Sequence, residues 1–150
     1  MMTTDYEPIR KGLAEAVPFV KKVGLDITEM GPDGATVVLP EDPEIANHVG
    51  SQHAGGLFTL AETASGAAFV ACFADRMAEI TPLAKGARID YLKLAKGPIE
   101  GRAALPDPAG LISDLDENGK IEFQVPVSMT DAEGVEVAKA TVDWYVRKNS

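Results

Sequence analysis

One carboxylate, Glu62, stands in an otherwise uncharged stretch from Ala54 to Ala74. A fully buried, unpartnered carboxyl group costs about 4–7 kcal/mol in its charged form, against a total stability of about 5–15 kcal/mol for a typical domain. Such a residue must find a partner, reach water through a cleft, or serve chemistry. Just before it runs Asn47-His48-Val49-Gly50-Ser51-Gln52-His53-Ala54-Gly55-Gly56, which holds both histidines of the chain. The two adjacent glycines let the backbone come close to a ligand, and the first N–H groups of a helix starting here lack internal partners. Those donors suit a carbonyl oxygen or an oxyanion. Donors that hold a carbonyl, with a carboxylate that activates water or attacks directly, make a recipe for acyl transfer to water.

The elements that position these residues can be read from periodicity. Ala54 to Ala74 is apolar on every side of a helical wheel, which predicts a helix wrapped by protein. Glu62 shares a stripe with Gly55, Thr59, Ser65 and Gly66, so small side chains leave space beside the carboxylate. Phe58, Phe69 and Phe73 read as core. Upstream, Pro8 to Val23 reads as a helix that Pro18 bends or ends. Leu25 to Met30 and Ala35 to Leu39 read as a strand pair around the turn Gly31-Pro32-Asp33-Gly34, and Pro40 to His53 as loop. Downstream, Pro82 closes the connection, and Ala87 to Leu94 and Ile99 to Leu105 are strand candidates. In Lys120 to Thr130 strict alternation places Ile121, Phe123, Val125, Val127 and Met129 on one face, with Pro126 suggesting an edge or bulge. Ala138, Ala140, Val142, Trp144 and Val146 share a face of the last strand. A long buried helix against a mostly antiparallel sheet of about six strands, preceded by an N-terminal helix, is an α+β architecture.

Length and composition bound the rest. A chain of 150 residues, 45% hydrophobic, suits one domain spanning residues 1–150. The net charge of −9 argues against nonspecific nucleic-acid binding, which depends on clustered Lys and Arg. No basic-then-apolar leader opens the sequence and no segment approaches a membrane span, so a cytosolic protein away from membranes is expected. Cys72, the single cysteine, reads as a buried small hydrophobe, and no Cys/His cluster predicts a metal.

The pattern Asn47-x5-His53-x-Gly55-Gly56-x5-Glu62 resembles the hot-dog-fold thioesterases of the PaaI-like group. Their signature, Asn-x-x-Gly-x-x-His-Gly-Gly followed by Leu-Ala-Asp or Leu-Ala-Glu in the helix, is matched by Asn47, Gly50, His53, Gly55 and Leu60-Ala61-Glu62. Ala54 replaces the usual glycine but keeps its N–H. The resemblance covers roughly residues 24–147 and implies a sheet wrapped around the central helix, with two subunits joining their sheets as a homodimer or a dimer of dimers. It implies an acyl-coenzyme A substrate and no cofactor. Glu62 would be base or nucleophile, the Ala54 N–H assisted by His53 would hold the thioester carbonyl from the opposite subunit, and Asn47 would orient the attacking water. Gly55, Gly56, Thr59, Ser65, Gly66 and Tyr91 would line the substrate, and Lys93 and Lys96 would meet the coenzyme A phosphates. Two other readings stay open. One is a hydroxyacyl-thioester dehydratase on the same fold, using His48 and Glu62; the Pro-Gly pair such enzymes carry before the helix is absent. The other is a non-catalytic acyl-binding module.

Overall fold

The computed structural model describes residues 4–150; the first three, part of the stretch read for a leader, lie outside it. Six strands form one antiparallel sheet in the order β1-β2-β4-β5-β6-β3. They are β1 Asp26–Gly31, β2 Gly34–Leu39, β3 Ile80–Tyr91, β4 Ile99–Ala103, β5 Lys120–Thr130 and β6 Glu136–Lys148. The sheet curls around the helix α3, Ala54–Cys72, which lies against every strand but the edge strand β3. This is the hot-dog arrangement.

Alternation builds the inner face. Ile121, Phe123, Val125, Val127 and Met129 of β5 are buried, as are Ala138, Ala140, Val142, Trp144 and Val146 of β6. From α3, Leu57, Leu60, Ala61, Ala64, Ala67, Ala68 and Phe69 meet them. The approach is close at Gly101 of β4, where an added Cβ would lie 3.0 Å from Leu60 Cγ. Phe69 stacks on Phe73 at 4.8 Å between ring centroids and on Trp144 at 5.9 Å. Phe58, expected in the core, is instead 41% exposed on the outer face of α3.

Several boundaries differ from expectation for identifiable reasons. Pro18 does split the N-terminal helix, opening α2, Pro18–Val23, after α1, Glu7–Ala16. Its missing N–H suits a first helical turn. β3 begins at Ile80 and runs through Pro82, because an edge strand tolerates a residue that cannot donate. It stops at Tyr91, and residues 92–98 form a loop. β5 is an inner strand, not an edge. Pro126 fits because β4 ends at Ala103, paired with Val127, so no strand lies against Pro126 on that side.

The β4–β5 connection, for which the sequence reading gives no element, is the helix α4, Pro108–Asn118, capped by the Asp107 carboxylate, which accepts from Gly110 N–H. The loop before α3 contains a 3-10 turn, Pro43–Ile45. A further correction concerns length: α3, at 19 residues with mean hydropathy 1.2, is long and apolar enough to cross a membrane. Here it packs inside the sheet, with ten of its residues buried.

Candidate active site

Glu62 sits midway along α3 on the side the sheet leaves open. Its carboxylate makes no hydrogen bond or ion pair among the described residues, and burial alone raises its pKa above the 4.5 of an ordinary glutamate. Its backbone is well anchored. Ser65 Oγ donates to Glu62 O at 2.8 Å and accepts from Trp144 Nε1 at 3.0 Å, tying this turn of the helix to β6. Ser65, expected to line the substrate, is fully buried at 0% exposure and acts as that tie.

A cavity of about 290 Å³ opens beside Glu62. Thr63, Gly66, Ala67, Phe69 and Val70 of α3 line one side, and Ile27, Pro82 and Trp144 belong to the sheet. Leu13, Val17, Val20 and Met77 close it. Glu62 is the one charged residue in this lining. Thr63 Oγ1 is buried with no hydrogen-bond partner among the described residues. An unsatisfied buried hydroxyl costs about 1–3 kcal/mol, so Thr63→Val is expected to raise stability by that order in a denaturant titration. A fall in stability would mean the hydroxyl finds a partner in solution.

The second group of residues gathers at the start of α3. His53 is the N-cap, with extended backbone (φ −68°, ψ 142°), and its Nδ1 accepts from Gly55 N–H at 2.8 Å. A nitrogen that accepts carries no proton, so the neutral ring bears its hydrogen on Nε2. Gly55 permits this contact, since a Cβ there would lie 3.1 Å from Nδ1. The Ala54 and Gly56 N–H groups have no acceptor among the described residues. They are the orphan donors of a helix start. Thr59 Oγ1 donates back to Gly55 O at 2.8 Å, and Tyr91 Oη donates to Ala54 O at 3.3 Å.

Asn47 organises the preceding loop. Its Nδ2 donates to Ser51 Oγ and Gln52 O, and its Oδ1 accepts from Val49 N–H and Ser51 N–H. The carboxamide is thus engaged in shaping the chain that presents His53. His48 lies exposed on the same turn. Sequence reasoning missed Gln52, a polar residue in a loop with nothing to mark it. It is buried, its Nε2 donates to Pro40 O at 3.0 Å and Gly97 O at 2.8 Å, and its N–H to Ala95 O at 2.8 Å. That clip holds the loop carrying Lys93 and Lys96 beside the helix start. Both lysines are exposed and without ion pairs among the described residues. Gln52→Leu strands two carbonyls, and a loss of about 2–4 kcal/mol in unfolding free energy is expected. An unchanged melting curve would remove Gln52 from the loop's support.

Along α3, Ala54 and Glu62 are eight residues apart, or about 12 Å at ~1.5 Å per residue. A single thioester carbonyl cannot touch both within one chain. No three His, Cys, Asp or Glu side chains among the described residues come together as a metal-ligand set. Cys72 is half-buried, and burial pushes its thiol pKa up.

The sequence matches the model of DUF4442, a domain of unknown function, over residues 7–146. The chain belongs to the DUF4442 family. A crystal structure from Pseudomonas aeruginosa, described as a protein of unknown function and probable thioesterase, is 31% identical. The match covers 99% of each chain with a TM-score of 0.87. A Chlorobaculum tepidum protein of unknown function shares the fold at 16% identity and TM-score 0.84, over 95% of this chain and 94% of that one. A Shewanella oneidensis protein related to the thioesterase superfamily does so at 19% identity and TM-score 0.74, over 92% of each. No curated protein matches the sequence. This DUF4442 domain therefore has the hot-dog fold, and the relative that is 31% identical is described as a probable thioesterase.

Proposed function

We propose that this protein hydrolyses an acyl thioester of coenzyme A to a carboxylic acid and a free thiol at a site shared by two copies of the chain. The observation that carries the reading is Glu62: a half-buried carboxylate of raised pKa, without a partner, at the mouth of an apolar cavity. Such a group is a stronger base than an exposed carboxylate and is poised to take a proton from water. The hydroxyl then attacks the thioester carbon, and the carbonyl oxygen becomes an oxyanion held by the N–H of Ala54 and by His53 Nε2–H. Collapse breaks the C–S bond, and the proton held by Glu62 passes to the departing sulfur. Asn47 positions His53 through the loop, and Thr59, Gly55 and Gly56 flank the approach. In this reading Lys93, Lys96 and Tyr91 would meet the leaving thiol and its phosphates.

The 12 Å between Ala54 and Glu62 supports the second copy: helices running antiparallel across a twofold axis bring each Glu62 to the other's helix start. The surface suits this. β3 is a 12-residue edge strand with one side unpaired, a template for another strand. Leu83 of β3, at 52% exposure, and Phe58 of α3 are exposed apolar side chains on these two elements. Joining two β3 edges would cover them.

The test is release of thiol from acyl-coenzyme A by the purified protein, compared with its Glu62→Gln variant. Glu62-dependent release supports hydrolysis. Loss of enoyl-thioester absorbance without thiol release would make the protein a dehydratase, and binding without either reaction a carrier.

A further inference from the structure

The cavity beside Glu62 is not closed by the hot-dog core alone. Part of its lining comes from the segment preceding the first strand: Leu13 of α1, Val17 at the break between helices, and Val20 of α2, joined by Met77 from the 3-10 segment after α3. We infer that this helical pair is a ruler that sets the length of the acyl chain, and that the substrates are straight-chain thioesters of about eight to twelve carbons. The inference rests on the hydrolytic reading for the identity of the group at Glu62, and on the cavity for the chain.

Volume sets the length. An apolar cavity of about 150 Å³ takes a benzene ring, six carbons. This cavity holds about 290 Å³, room for about twice as many. With the reacting carbonyl at Glu62, a chain of that length would fill the cavity that Leu13 and Val17 help to close. The lining is otherwise apolar, so the tail has no polar group to satisfy beyond the Thr63 hydroxyl.

The wall is also separable from the fold. α1 has no fully buried residue, and Val17 is 39% exposed. Leu13 and Ala14 pack against the edge of the core without being fully buried, and the helix is also held by Arg10 Nη1 donating to Ile27 O at 2.8 Å and Tyr6 Oη donating to Ala71 O at 3.4 Å. Substitutions at Leu13 and Val17 therefore reshape the cavity without opening the core.

The only tryptophan of the chain, Trp144, lines the cavity and reports on what enters it. The experiment is a Trp144 fluorescence titration with neutral straight-chain alkanols of four to fourteen carbons, run beside thiol release from the matching acyl-coenzyme A series. Affinity is expected to rise about fourfold per methylene, the fold-change of ~0.8 kcal/mol per buried CH₂, and then to break off at the wall. Leu13→Ala is expected to move the break to longer chains and Val17→Phe to shorter ones, with melting curves confirming that both fold. A break that neither substitution moves, or a preference for the shortest ligands, overturns the inference. If the break moves but no thiol is released, the ruler stands and the hydrolytic reading fails. Release of thiol with a length profile indifferent to both substitutions does the reverse.

Discussion

Replacing Glu62 with glutamine is expected to lower thioester turnover by about 10²–10⁴-fold, the range for removing a positioned acid or base, while leaving the protein folded and more stable at neutral pH. The stability gain follows from linkage. Burial raises the folded-state pKa of Glu62 above 4.5, so the folded protein binds more protons than the unfolded chain just above that pH. Stability contributed by the protonated group is therefore present below about 4.5 and lost as pH rises through the folded-state value. Glutamine carries no such dependence, so the gain in Tm should be seen at neutral pH and vanish below 4.5. The same raised pKa places the acid limb of the hydrolysis profile above that of an ordinary glutamate. Parental turnover in the folded variant would remove Glu62 from the chemistry, and a lowered Tm at neutral pH would make its role structural.

Ala54→Pro is expected to cost about 10²–10³-fold in turnover, the effect of losing one oxyanion donor. The structure makes this a clean substitution. Ala54 is the first residue of α3, where proline is well tolerated, and His53 already has the extended backbone that a following proline demands. The N–H is removed while the helix start keeps its shape. His53→Ala should cost less, because the Ala54 N–H survives it. If folded Ala54→Pro keeps parental turnover, the donor lies elsewhere.

Much of this was legible in the sequence where burial on one face leaves a period. The alternation in β5 and β6, the Pro18 break and the all-round apolar α3 each report directly on which side of an element meets the core. α4 left a weaker trace. Residues 106–119 mix two prolines, two glycines and four acidic residues, and the helix signal lay in its ends, Asp107-Pro108 at the start and Gly119 after Asn118. β3 was read too short because a proline within a strand argues against it unless the strand is known to be an edge, which is a property of the whole sheet. At the site, Gly66 of the stripe through Glu62 lines the cavity, whereas Ser65 is buried away from it. With about 100° per residue, Ser65 and Thr63 lie on opposite sides of Glu62, and which side faces the cavity depends on how the sheet wraps. Gln52 acts through carbonyls contributed by distant residues, Pro40 and Gly97, so its role had no local signature, whereas the bonds of Asn47 all lie within its own turn.

The most direct measurement of the shared site is the turnover of a mixed dimer, one copy carrying Glu62→Gln and the other Ala54→Pro, isolated through two different affinity tags. Each variant alone has both sites damaged. In the mixed dimer, one site combines both lesions, and the other pairs an intact Glu62 with an intact Ala54 N–H. Recovery to about half the parental thiol release is expected, since one of two sites is restored. Turnover no higher than that of the two variants alone would place Glu62 and its donor in the same chain and contradict the shared site.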